Sequence, residues 1–215
     1  MTREEKQAHL TQIAQKVGVC RKCSLWRGTT QGVSGEGDPE AKIMFIGEGP
    51  GFNEDRLGRP FVGQAGKLLD QLLDTISVRR QDVFITNVVK HRPSDNRDPL
   101  PIEMEACGRY LDEQIEIIEP RIVVTLGRFS MNKFLPGEYI SRVHGLARYV
   151  DFGGRKMVVL PMYHPAAALR NGAVMLQLQE DFKKIMTLLG EKADPGDQTG
   201  DRAEEEVSRQ LSLII

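Results

Sequence analysis

One stretch limits what this chain can fold into more than any other. Lys42-Ile43-Met44-Phe45-Ile46 is short, apolar and unbroken. It is followed by a long glycine-rich polar run, Gly47-Glu48-Gly49-Pro50-Gly51 through Gly66, and then by Lys67-Leu68-Leu69-Asp70-Gln71-Leu72-Leu73-Asp74, which has helical apolar spacing. A buried strand, a loop and a helix in that order make an α/β unit. Glycines let the backbone bring N–H groups close to a ligand, and strand ends that open into such loops are where α/β proteins bind ligands. The run is read here as one long loop between strand and helix.

Two phosphate-binding schemes fail on the residues. The Walker pattern needs Ser or Thr after Gly66-Lys67, where Leu68 stands, and glycine where Phe61 stands. The dinucleotide pattern starts at Gly47-Glu48-Gly49 and fails at Phe52, where a third glycine is required.

Downstream the same alternation continues. Residues 3–17 form an amphipathic helix with Leu10, Ile13, Ala14 and Val17 on one side. Val83 to Val89 is a second strand with Asn87 near its end. Glu103 to Ile118 is a helix stopped before Pro120, and Arg121 to Gly127 is a third strand. Ser130 to Phe134 is a short helix, and Val143 to Asp151 is a connecting hairpin or loop. His144 within it is read as incidental. Met157 to Pro161 is a fourth strand leading to His164-Pro165, and Gln177 to Leu189 is a last helix. The expected fold is a three-layer α/β/α sandwich on a central, mostly parallel four-stranded sheet, built from residues 1–190.

Residues 191–215 differ in composition. They hold seven acids and three bases, which leaves 26 bases against 23 acids in the body. A mildly basic body is compatible with DNA contact. The acidic, aromatic-free part reads as a flexible tail, and it ends in the apolar Leu211-Ser212-Leu213-Ile214-Ile215. No apolar run is long enough to span a membrane, and the charged N-terminus has no secretory pattern, so the cytoplasm is the expected location. Three cysteines suit reduced thiols or a metal site better than a disulfide scaffold. Cys20-Arg21-Lys22-Cys23 follows a helix rather than a strand, which argues against a thioredoxin-like use. Its remaining ligands must come from far along the chain, with Cys107 a candidate.

Gly47-Glu48-Gly49-Pro50-Gly51, Glu54-Asp55, Gly58-Arg59-Pro60-Phe61-Val62-Gly63, Ala65-Gly66, Thr86-Asn87-Val88-Val89-Lys90, Asn96-Arg97-Asp98-Pro99 and His164-Pro165-Ala166 together resemble the motifs of family 4 uracil-DNA glycosylases. The resemblance covers residues 18 to 188 or so. It implies removal of uracil from DNA, leaving an abasic site for base excision repair. It also implies a [4Fe–4S] cluster held by Cys20, Cys23, the residue after the second strand, and Cys107. That third place holds His91 instead of cysteine. Histidine can ligate iron in such centres, and a zinc site from the same four residues is the alternative. A covalent-trapping branch of the superfamily resembles this chain in carrying histidine there. Its added basic loop is missing here, so ordinary turnover is expected.

The resemblance implies that Phe61 stacks on the flipped base, that Asn87 reads it, and that His164 faces uracil O2 together with the backbone of Gly47, Glu48 and Gly49. One carboxamide offers a donor and an acceptor, which match uracil O4 and N3–H and mismatch cytosine. Glu54 is the favoured water-orienting carboxylate and Glu48 the other. Asn96, Arg97 and Arg170 are the expected DNA contacts. Gln210, Leu211, Leu213 and Ile214 resemble the peptide that partners insert into a bacterial sliding clamp. A monomer is expected. Two other functions stay open: a non-catalytic iron–sulfur or zinc DNA-binding module, and a nucleotide-binding α/β enzyme.

Overall fold

The computed structural model describes residues 1–190. In chain order the elements are α1 (Arg3–Gly18), β1 (Glu36–Gly37), β2 (Ile43–Gly47), α2 (Phe52–Leu57), α3 (Gln64–Thr75), β3 (Phe84–Asn87), α4 (Pro101–Ile118), β4 (Ile122–Leu126), α5 (Arg128–Phe134), α6 (Ile140–Val143), β5 (Arg148–Phe152), β6 (Arg155–Met162), α7 (Pro165–Ala168) and α8 (Gly172–Gly190).

The strands form one sheet in the order β1-β3-β2-β4-β6-β5. The central β3, β2, β4 and β6 are parallel, as expected. The expected sheet of four strands is corrected to six by two antiparallel edges, β1 on β3 and β5 on β6. Neither edge carries a buried apolar run: β1 is only Glu-Gly, and β5 is largely exposed. β5 lies in the segment read as a hairpin or loop. It folds back through Gly153-Gly154, both at positive φ, the conformation that a two-residue hairpin turn needs.

Two further boundaries are corrected. The long loop after β2 contains α2, which starts at Gly51 and ends at Gly58 in the left-handed region. The second strand stops at Asn87 rather than Val89, although Val88 and Val89 still donate to the carbonyls of Gly47 and Glu48 at 3.0 and 3.1 Å.

β2, β3 and β4 are buried on both sides, as parallel strands covered by helices must be, while β6 starts exposed at Arg155 and Lys156 before it enters the core. Met44 and Ile46 face a core with α1 and α4 (Ile13, Val17, Leu111, Ile115), while Ile43 and Phe45 face α3 and α8 (Leu69, Leu73, Phe182, Ile185). The result is the expected three-layer sandwich. In α1 the buried positions are Lys6, Leu10, Ile13 and Val17; Ala14 is exposed. The order of strands reverses about β2 and β4, so the loops after β2, β3 and β6 open on one side of the sheet. Among the described residues no helix is long and apolar enough to cross a membrane.

Candidate active site

A cavity of about 410 Å³ opens at the carboxyl ends of the parallel strands. Glu48, Gly49, Glu54, Phe61, Asn87, Asn96, Arg97, His164 and Arg170 all line it. These residues come from segments spread over more than half of the chain, and the strand register gathers them: Gly47 stands opposite Asn87.

Asn87 is the last residue of β3 and is 2% exposed. Its Oδ1 is buried with no hydrogen-bond partner among the described residues. A buried acceptor left open costs free energy unless something fills it. Gly47 is what admits it. A Cβ there would collide with Asn87 Oδ1 and come within 2.6 Å of Phe61 Cζ. Phe61 itself has φ of 50°, uncommon for a bulky residue. Arg80 holds that bend. Its guanidinium donates to the carbonyls of Pro60 and Phe61 at 2.6 and 3.2 Å and pairs with Asp70 and Glu36. Arg80 and Glu36 line a second hollow of about 490 Å³. Its arginines are all paired with carboxylates, Arg59 with Glu36 and Arg79 with Asp82. It shares no lining residue with the first cavity.

The Phe61 ring stacks on His164, with centroids 5.6 Å apart. His164 caps α7: its Nδ1 accepts from the Ala166 amide at 3.1 Å. Nε2 therefore carries the proton of the neutral ring. Only part of the residue's surface is covered, but the atoms around the ring desolvate it. Burial pulls its pKa down to about 4; Arg170 adds to this and Glu54 opposes it. The ring is neutral at pH 7 and can donate from Nε2.

The two carboxylates differ. Glu54 Oε1 accepts from the amides of Val62 and Gly63 at 2.8 and 2.7 Å, which ties α2 to the bend at Phe61. Glu48 is half-buried, and its pKa is raised to about 7 by burial and then by Asp98, against the pull of Arg128. Asp98 and Arg128 pair with each other at the rim.

The three expected DNA contacts are also unlike. Arg97 is locked onto Glu103 by two hydrogen bonds of 2.7 and 2.9 Å. Asn96 accepts from Arg92 at 2.8 Å, and Arg92 lies over the exposed ring of Phe52. Arg170 has no carboxylate partner among the described residues and stays exposed. Sequence reading missed Arg80, Asp98, Arg128 and the Arg97–Glu103 pair. Long-range contacts create all of these roles, and only the charge of each residue hinted at them.

The cysteines do not line this cavity. Cys20 and Cys23 pack against the core that holds Cys107. Cys23 lies near Cys107, and Cys20 near Tyr110. Burial pushes the Cys107 thiol up to about 11, against a hydrogen bond from the Lys90 backbone. Bare thiolates are therefore disfavoured here, and a bound cation would offset that cost. His91 is buried too, but a Cβ on Gly32 would lie 3.1 Å from its Nε2, and its pKa is lowered by burial and raised by Asp55, not by a cysteine. Among the described residues no group of three or more His, Cys, Asp or Glu is arranged to hold a metal ion. The donor set of three sulfurs fits a soft metal or cluster, with His91 the member set apart. The clamp-like residues Gln210 to Ile214 lie outside the described residues.

Residues 34–190 match the model of the uracil DNA glycosylase superfamily. The chain is 50% identical over 185 residues to a type-4 uracil-DNA glycosylase of Sulfurisphaera tokodaii, covering 83% of this chain and 84% of that one. It is 47% identical over 188 residues to a type-4 uracil-DNA glycosylase of Archaeoglobus fulgidus (85% and 94%). A type-5 uracil-DNA glycosylase of Thermus thermophilus is 34% identical over 189 residues (71% and 84%).

Proposed function

The chain belongs to the uracil DNA glycosylase superfamily, and from that premise we propose that this cavity receives a uracil flipped out of DNA and that the residues around it cleave its glycosidic bond. The activity is that of a uracil-DNA glycosylase, a hydrolase of DNA repair. Extrusion is required because the anomeric carbon and the base edge are hidden in the stack.

The observation that carries the reading is the unpartnered Oδ1 of Asn87, in a cavity it shares with Phe61 and His164. Uracil N3–H donates to that oxygen, and the amide nitrogen donates to O4. Cytosine offers a bare N3 and an amino group, so both contacts clash and buried polar groups are left unpaired. Phe61 covers the face of the ring. His164 donates from Nε2 to O2, where charge grows as the bond breaks; a neutral donor needs no proton transfer to do so. The Gly47–Gly49 backbone lies at the same edge. One such oriented donor is worth about 3 kcal/mol in the transition state.

The bond from C1′ to N1 breaks with its electron pair on uracil. Water oxygen bonds to C1′, and a carboxylate takes the proton of that water. Of the two carboxylates the geometry favours Glu48, because Glu54 is occupied with the Val62 and Gly63 amides. A pKa near 7 suits a base that works at neutral pH. Glu54 then shapes the loop that carries Phe61. Arg170 is the side chain best free to meet phosphate, whereas Arg92 is engaged with Asn96 and Phe52, and Arg97 with Glu103.

Cys20, Cys23 and Cys107 would hold a [4Fe–4S] cluster, with His91 as the fourth ligand if its ring turns toward them. When bound, such a group would tie the segment after α1 to α4. Zinc on the same residues is the second reading. The terminal Gln210, Leu211, Leu213 and Ile214 belong to the same proposal as a tethered sliding-clamp ligand, as do a monomeric state and a cytoplasmic location.

The central experiment incubates the chain with a uracil-containing oligonucleotide and cleaves abasic sites with alkali. Strand scission that depends on uracil is the expected result. DNA binding without scission points instead to a non-catalytic module, and tight binding of a free nucleotide alone points to a nucleotide-binding enzyme. Iron with acid-labile sulfide and broad visible absorption supports the cluster. A colourless protein with stoichiometric zinc supports zinc, and neither rejects the site.

A further inference from the structure

β1 pairs only with Phe84 and Ile85. Beyond them the edge of β3 has no strand neighbour among the described residues, and the carbonyl of Asn87 lies in that gap. Its donor is the ammonium of Lys90, 2.9 Å away. The same Nζ donates to Thr86 Oγ1 at 2.7 Å and to Gln114 Oε1 at 2.8 Å. Thr86 and Gln114 in turn both donate to the carbonyl of Ser34, at 2.7 and 2.9 Å. Lys90 is fully buried. An ammonium has three donors, and here each has an acceptor, none of them a carboxylate. Burying that charge with no carboxylate among its hydrogen-bond partners is costly, and burial pulls the Lys90 pKa down to about 7.

The Asn87 side chain, by contrast, makes no hydrogen bond among the described residues. Its aim is set by its own backbone and by its close approach to Gly47. The peptide that carries this side chain is therefore gripped by Lys90 from the side away from the cavity, and Lys90 does not line the cavity. We propose that Lys90 is a positioning residue for uracil recognition, fixing where the Asn87 amide points without touching the base. The proposal rests on the reading of Asn87 as the base reader. It explains why a lysine is buried three residues from that reader. Its four-carbon stem reaches back one helical-turn distance to cap the carbonyl that the missing edge strand leaves open.

A double-mutant cycle tests it, with single-turnover kcat/KM on a uracil oligonucleotide as the readout and uracil-to-cytosine preference alongside. Lys90→Met is expected to lower kcat/KM by about 10- to 100-fold, the scale of a small misplacement of a binding group. Asn87→Ala is expected to lower it by about 1000-fold. If Lys90 acts through Asn87, adding Lys90→Met to Asn87→Ala changes the rate by less than about threefold, since there is no amide left to misplace. A full additional loss in the double variant overturns the proposal, as does an unchanged kcat/KM for Lys90→Met alone. Where Lys90→Met does not fold, Thr86→Val takes its place, because it removes one acceptor of the ammonium and keeps the shape. Its smaller loss, about threefold or more, must likewise vanish in the Asn87→Ala background. An Asn87→Ala variant with full activity has a different meaning: it removes Asn87 as the reader, and Lys90 with it.

Discussion

Two polar regions meet at the end of β3 and are built in opposite ways. On one side, Lys90, Thr86, Gln114 and Ser34 are buried and hydrogen-bonded to one another. On the other, three residues away, Asn87 has an open acceptor, Glu48 is desolvated with no side-chain hydrogen bond among the described residues, and His164 keeps one nitrogen free. The first region is saturated and the second is not. A saturated network defines a backbone, whereas an unsaturated one waits for a ligand that supplies the missing partners. Their adjacency teaches that the cavity gets its order from behind, not from contacts inside it.

The largest effect should come from disturbing the unsaturated side. Asn87→Asp keeps an acceptor toward N3–H and loses the donor toward O4, so uracil-to-cytosine preference should fall by about 100- to 1000-fold. Competition between the two oligonucleotides measures it, and an unchanged preference takes Asn87 out of the reader role.

Next come the charge-bearing groups. Glu48→Gln should lower kcat by about 100-fold. Wild-type kcat should rise through pH 7 as Glu48 ionises, and the variant should lose that step. His164, held near 4, should contribute no step above pH 5. The same substitution should make the fold more stable. Glu48 titrates higher in the folded chain than unfolded, so ionising it weakens the fold as pH rises from about 4.5 to about 7. Glu48→Gln should therefore raise the melting temperature at pH 8 and leave it unchanged at pH 4. A variant that keeps activity and a pH step near 7 would return the water-orienting role to Glu54.

A saturated site should respond through stability instead. Glu103 is 1% exposed and sits under Arg97, Ser24 and the Leu100 amide, which hold its carboxyl down to about 2. Glu103→Gln should cost about 2 kcal/mol at pH 7 in urea denaturation, with kcat per folded molecule changed less than tenfold. Its folded pKa lies below the unfolded one. The contribution is therefore present above about 4.5 and is lost as pH falls toward 2, and the variant and wild type should converge in acid. The smallest effect is expected from removing residues 191–215. Activity on short oligonucleotides should stay within about twofold while binding to a sliding clamp disappears.

Much of this molecule was legible in the chain. The central strands carried apolar runs because both of their faces are largely covered, and the period of α1 named Leu10, Ile13 and Val17 among the residues that cover them, though not the exposed Ala14. The edges were not legible, because a two-residue strand and an exposed hairpin strand carry no burial signal. Phe61, Asn87 and His164 could be selected as a set from their types and motif positions, and all three line one cavity. Local order fixed these things: side-chain period, glycine placement and short-range spacing belong to the linear chain. Partner choice belonged to the fold. That Glu54 is occupied by two amides, that Arg97 faces Glu103, that His91 turns toward Gly32, and that Lys90 caps Asn87 all follow from which distant groups come within hydrogen-bond reach. A hydrogen bond acts over about 3 Å, and only packing brings residues far apart in the chain to that distance.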